Sequence, residues 1–226
     1  MNRFGLNRTG GAAGFVYVMA TIAAAALTGK PPGRDASNQA VQHFFIDHRG
    51  QVVLQGWLYA LATGLVIWFA VAVRRLLHTA STGRHFGDLF FVGTVAVAAL
   101  SFVSMSIRIV AAGAADELSA SAVRAVGADF SLVLLALCGF IVALAAVGYA
   151  GCVLPDGVLP RWTGWLAIVA AVVNLAGTTS VFVPDGPFSI EGGLATLLPV
   201  AATAVWYLGT SICLYTTHDE TLPRPL

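Results

Sequence analysis

Six apolar runs, each about as long as a bilayer is thick, limit what this chain can fold into. A helix that crosses the hydrocarbon needs roughly 20 mostly apolar residues. Such runs occupy about 10–28, 52–73, 89–112, 128–153, 162–183 and 193–216. Gly29-Lys30-Pro31-Pro32, Arg74-Arg75, Pro155 and Pro184-Asp185-Gly186-Pro187 punctuate them. Each run is apolar all round instead of alternating. Lipid offers the backbone no hydrogen-bond partner, so each segment has to satisfy its own amides, which requires helices. The expectation is a polytopic all-α protein, a bundle of six transmembrane helices in a single domain spanning 1–226.

Composition agrees. Only 10% of the 226 residues are charged, 58% are hydrophobic, and the mean hydropathy is +0.81. Soluble domains carry roughly 25% charged residues. A net charge of +1 gives no field for nucleic acid. Cys138, Cys152 and Cys213 are far apart and form no CxxC or Cys/His cluster, so they read as small apolar packers. The first run follows Arg3 and Arg8 and has an alanine stretch at Ala23–Ala26, as a cleaved signal would. Its length and the five runs behind it favour a retained first helix.

Basic residues set the expected orientation. With the N-terminus inside, Arg3, Arg8, Arg74, Arg75, Arg84, Arg161 and Arg224 lie on the cytoplasmic side. Lys30, Arg34, Arg49, Arg108 and Arg124 lie outside. The Arg74-Arg75 pair at a helix end is the strongest element of this bias toward an N-in, C-in topology. Two outside segments have helical character. Around 37–48, cap-competent Asp35, Ser37 and Asn38 precede Val41, Phe44 and Phe45 on one side, the pattern of a short amphipathic helix lying on the membrane. The segment 119–127 reads as an extension of the fourth span.

Ionisable and amide side chains near lipid are the candidates for function. In the third span Ser101, Ser104 and Arg108 share a face at spacings of three and four. Arg108 falls near the outer boundary, where Asp129 opens the fourth span and Glu191 the sixth. An Arg108–Asp129 pair, with Glu191 and Gln55 beside it, would form an outward-facing polar pocket. The alternative is that Arg108 snorkels to the interface while the acids sit at helix N-termini. Asn174 is the most central polar group of the fifth span, placed to bind a ligand or, more commonly, to hydrogen-bond between helices. Pro199 is expected to kink the sixth. His43, Asp47 and His48 are the tightest His/Asp grouping but too few for a metal site, and they read as surface polarity. The aromatics Trp57, Tyr59, Trp68, Tyr149, Trp162, Trp165, Trp206, Tyr207 and Tyr215 fit interfacial belts for the most part, with Trp68 and Trp206 deeper.

No histidine lies within a span, so haem between paired imidazoles is disfavoured. HExxH, GxSxG and P-loop motifs are missing from the sequence. Neither enzymatic activity nor a cofactor is expected.

Several motifs together carry a resemblance. They are Gly33-Arg34-Asp35, the stretch FFIDHRG from Phe44 to Gly50, Gly56-Trp57-Leu58, Trp68-Phe69, Arg74-Arg75-Leu76, and Leu159-Pro160-Arg161-Trp162 followed by Gly164-Trp165-Leu166. The chain thereby resembles a large group of actinobacterial integral membrane proteins, six-helix chains that carry a domain of unknown function. The layout is similar over most of the chain; the motifs cover the first third and the start of the fifth span. The resemblance implies a multi-pass protein of the bacterial plasma (inner) membrane and supplies no catalytic residue. The functional expectation is a structural or accessory envelope protein. The alternative is a small transporter or a lipid- or small-molecule-binding protein using the outward pocket. The partners implied are the lipid bilayer and either a second copy or another membrane protein.

Overall fold

The computed structural model describes residues 3–28, 32, 33, 35–81, 83–183, 185–190 and 193–216. Every regular element among them is helical. The helices are α1 (Arg3–Leu27), α2 (Asn38–Asp47), α3 (Arg49–Leu77), α4 (Gly83–Gly113), α5 (Ala120–Val123), α6 (Phe130–Asp156), α7 (Arg161–Thr178) and α8 (Gly193–Thr216). A π-helical stretch, Arg124–Asp129, joins α5 to α6, and a 3-10 turn, Thr179–Phe182, extends α7.

Six of these elements are long and apolar enough to cross a membrane. Within the most apolar window of each, only 28–39% of residues are buried. The rest turn residues such as Val92, Phe102, Val169 and Leu197 outward. Water would not tolerate that much apolar exterior, and lipid does. The chain is therefore a multi-pass, all-α membrane bundle. The spans match the sequence reading, but α3 and α4 run several residues beyond their apolar runs. Arg74 and Arg75 form the last turn of α3. Asp88, inside α4, holds Arg74 at 2.7 Å and His78 at 2.9 Å, so the charged ends neutralise one another.

The spans form a closed ring in the order α1, α3, α4, α6, α7, α8 and back to α1. Small residues let neighbouring backbones approach, as is usual between helices in lipid. A Cβ on Gly148 would stand 2.7 Å from Phe86 O and Phe90 N, across the α4–α6 seam. One on Gly139 would stand 2.7 Å from Asn174 O, across the α6–α7 seam. One on Gly11 would stand 2.7 Å from Ser211 O, where α1 meets α8. The Arg8 guanidinium lies over the Tyr215 ring at 5.2 Å, so the start of α1 and the end of α8 share one face.

Toward that face, which also carries Arg74 and Asp88, aromatic rings fill the axis of the ring. Trp206 meets Tyr207, Tyr149 and Phe90 at centroid distances of 4.8, 5.4 and 6.2 Å. The Tyr149 hydroxyl donates to Thr163 Oγ1 at 2.8 Å and accepts from Thr210 Oγ1 at 3.1 Å, tying α6, α7 and α8. Tyr149 and Trp206 are wholly buried and Tyr207 nearly so. An interfacial belt for Tyr149 and Tyr207 is thus overturned: they are core. Trp57 and Trp165 do face outward.

At the opposite face, α2 packs over α5, the π-helical stretch and the end of α4. Ser37 Oγ accepts from Ala40 N at 3.2 Å and starts the helix. Val41 and Phe45 are buried with Val52, Ala112, Ala115 and Val123. Gln42 Nε2 donates to Ala115 O at 2.7 Å and Leu118 O at 2.9 Å. Arg49 donates to Ala112 O at 2.8 Å and pairs with Asp116. The apolar side of α2, expected to lie on lipid, is instead spent on protein. Carbonyls in the last turn of a helix lack helical partners; Arg49 satisfies that of Ala112, and Gln42 satisfies two more, Ala115 and Leu118, in the segment that follows α4.

Candidate functional site

Beneath this cap the ring of helices is hollow. A partly open cavity of about 200 Å³ lies between all six spans. It exceeds the engineered cavity of roughly 150 Å³ that takes up benzene. On α4 its wall runs from Thr94 to Met105, a rise of roughly 17 Å. The floor is Tyr17 and Tyr207, whose rings stand 5.9 Å apart.

The wall is mostly apolar, with hydroxyls on every side but that of α6. Tyr17 and Thr21 come from α1, Tyr59 and Thr63 from α3, and Thr94, Ser101 and Ser104 from α4. Ser180 follows α7, and Thr196 and Thr203 come from α8. Within each helix these positions recur at three, four or seven, so one stripe of each helix faces the axis. Several of these hydroxyls bond within their own helix. Thr21, Thr63 and Thr94 donate to the carbonyls of Tyr17, Tyr59 and Phe90 at 2.8–2.9 Å. Such back-bonding lets a hydroxyl face an apolar space without an unmet proton while its lone pairs stay available.

Asn174 stands in the wall between α7 and α8. Its Nδ2 donates to Ala170 O at 2.8 Å, Thr203 Oγ1 at 3.0 Å and Pro199 O at 3.5 Å. Thr203 Oγ1 donates in turn to Pro199 O at 2.8 Å. The tie between helices expected of Asn174 is present, built around Pro199. All three bonds use the amide nitrogen, so the amide oxygen of this cavity residue is not engaged by them.

Arg108 lies about one turn beyond Ser104 and Met105 on α4, toward the α2 face. Its guanidinium carbon is 6.0 Å from the centre of the Phe45 ring, and it interacts electrostatically with Tyr59. Its Nε is buried and makes no hydrogen bond among the described residues. Phe45 packs against Gly127 in the π-helical stretch, where an added Cβ would stand 2.9 Å from the ring. The π-helix, Phe45 and Arg108 therefore form one structural unit, and π-helical turns are frequent at functional sites.

The structure separates the residues that the sequence suggested would cluster. The Arg108–Asp129 pair does not form. Asp129 lies 3.9 Å from Arg124, on an exposed part of the π-helix. Gln55 is buried but lies outside the cavity wall, donating to Ala24 O at 2.9 Å and Thr28 Oγ1 at 3.2 Å to join α1 to α3. Glu191 lies outside the described residues. Ser104 and Asn174 do line the cavity; Arg108 is not part of its wall but follows the lining residues Ser104 and Met105 on α4. Missed from the sequence were Tyr59, assigned to an aromatic belt, and the hydroxyls Thr21, Thr63, Thr94 and Thr203. Their helical spacing within apolar runs was the available signal. Cys138 is a free thiol in the wall. Among the described residues no group of three His, Cys, Asp or Glu side chains is placed to hold a metal. No protein-family model matches the chain, and neither a curated protein nor a solved structure gives a match.

Proposed function

We propose that the protein binds a small, largely apolar molecule between its helices, as a lipid- or small-molecule-binding or transport protein of the membrane and not as an enzyme. The observation that carries this reading is the hydroxyl-lined cavity under α2. A partly open space of about 200 Å³ leaves its lining side chains without partners on one side, and an apolar occupant would supply those contacts. The described lining has hydroxyls, one amide and the Cys138 thiol but no His, Asp, Glu or Lys, a set suited to holding and orienting a molecule.

We take the α2 face to be extracytoplasmic, on the distribution of basic residues, and the membrane to be the bacterial plasma membrane, on the resemblance to the actinobacterial six-helix proteins. The cavity then lies in the outer half of the membrane, and the aromatic plug separates it from the cytoplasm.

Native mass spectrometry in mild detergent tests the reading. The wild type is expected to carry a stoichiometric apolar adduct. Ala136→Phe, which places a ring in the cavity, is expected to lose it while staying monodisperse. A bare polypeptide in both forms, before and after incubation with an apolar probe, would refute binding.

A further inference from the structure

We infer that the occupant is a single-chain amphipathic anion, with its carboxylate or phosphate head held by Arg108 and its chain lying in the cavity. The inference rests on the binding reading above and adds the chemical class of the ligand.

Three observations converge. The first is the state of Arg108. A guanidinium stays charged at any accessible pH and presents five donors in a planar fork. Among the described residues no carboxylate comes within ion-pair distance of it; the pairs formed are Arg49–Asp116, Arg74–Asp88, His78–Asp88 and Arg124–Asp129. Its Nε is enclosed with no acceptor. A buried donor left without a partner is rare and costly, and a charged one more so. Each of the other described cap arginines, Arg49 and Arg124, has both an acid and a carbonyl as partner.

The second is depth. Arg108 lies five residues before the end of α4, about 7.5 Å from that end. This is headgroup level for a chain that spans a bilayer. The third is continuity. Ser104 and Met105, one turn deeper, line the cavity, as does Tyr59. From there the wall descends roughly 17 Å along α4 to Thr94. A cationic, planar group one turn beyond the lining residues Ser104 and Met105, with a long, mostly apolar space below, matches a charged head on a single chain. A small hydrophilic anion would leave that space empty, and a neutral hydrocarbon would leave Arg108 unmet. Phe45, pinned by Gly127 on the π-helix, holds the guanidinium from the other side.

The experiment compares acids with their neutral counterparts on the full chain in non-ionic detergent, at a pH where the acids are ionised. The probes are a fluorescent polyene fatty acid against its methyl ester, and a lysophosphatidate against the matching monoacylglycerol. Wild type is expected to bind one or both anions about tenfold tighter than the neutral partner, the difference a charge-assisted hydrogen bond makes. Which anion shows the larger preference separates a carboxylate source from a phosphate source. Arg108→Gln is expected to remove the preference while keeping the affinity for the neutral probes, and Arg108→Lys to restore part of it. Equal binding of acid and ester by wild type overturns the inference and leaves the cavity reading standing. That is also the result expected if a carboxylate of the chain itself neutralises Arg108. A preference that survives in Arg108→Gln overturns it too. Failure of every probe to bind removes the cavity reading and the inference with it. Because the wild-type comparison decides alone, poor folding of a variant does not shield the proposal.

Discussion

In the half of the bundle that carries Arg74 and Asp88, Trp206, Tyr149 and Phe90 meet edge to face along the axis; in the half under α2 the same six helices enclose about 200 Å³ of space. The contrast is written along each helix as a change in side-chain size. On α8 the axial stripe passes from Trp206 and Tyr207 to Thr203, Pro199 and Thr196. On α6 it passes from Tyr149 to Gly139 and Ala136, and on α4 from Phe90 to Ala98 and Ser101. Helix positions are fixed where the rings interlock, and beyond them the smaller side chains fall short of the axis. In lipid, where apolar burial between helices gives little, contact area and polar ties hold the helices. One half of this molecule therefore supplies stability and the other supplies space.

The comparison breaks most directly at the plug. Trp206→Ala is expected to destabilise the detergent-solubilised protein by about 3–5 kcal/mol, the cost of deleting a buried large aromatic. Val142→Ala, in the cavity wall, removes atoms that already face a void and is expected to cost under about 1 kcal/mol, below the usual range for core truncations. Both are read as shifts of the melting midpoint followed by circular dichroism. Comparable losses at the two sites would mean that the half under α2 is as tightly packed as the half around Trp206, and would count against the cavity.

How much of this was legible beforehand differs between the halves. The spans were, because about 20 apolar residues in lipid leave the backbone no choice but a helix; the sixth, 193–216, coincides with α8. The charged overhangs of α3 and α4 were not, since a hydropathy run ends where Arg74 or Asp88 appears although the helix continues through their pairing. The site was partly legible. The Ser101–Ser104–Arg108 stripe and Asn174 were visible from spacing. Tyr59 and Tyr149 were not distinguishable from belt aromatics, because sequence position gives depth along a helix but not its facing. The pairing of Asp129 with Arg124 was hidden for a different reason: the π-helical stretch alters the helical phase between 124 and 129, and an i, i+4 count assumes there is none.

A smaller effect sharpens the same contrast at the glycines. Gly148 lies on the α4–α6 seam within the packed half, and its added Cβ would meet backbone atoms of Phe86 and Phe90 that cannot step aside. Gly148→Ala is expected to cost about 1–3 kcal/mol through overpacking. Gly64, in α3, has nothing within 4 Å of the same added atom. Gly64→Ala is expected to stabilise by up to about 1 kcal/mol, the helix-propensity gain alone. Melting midpoints that move in opposite directions support close backbone approach as the device that closes the ring. A stabilising Gly148→Ala would show that the seam is wider than drawn.

The smallest effect falls on the boundary between the halves, at Asn174. Its amide links α7 to Thr203 and Pro199 of α8 while lining the cavity. Hydrogen bonds between helices in lipid are worth about 0.6 kcal/mol on average and up to about 1.7, so Asn174→Ala is expected to cost an amount in that range. Thr203→Ala should cost no more, because Thr203 keeps company with the same Pro199 carbonyl. If the residues act only as a tie, the double variant will be less destabilised than the two single losses added together, since one network is broken once. The adduct in native mass spectra will then survive in all three variants. Loss of the adduct in Asn174→Ala but not in Thr203→Ala would instead assign the amide oxygen to the occupant, and the wall of the hollow half would be a binding surface at Asn174 and not merely a spacer.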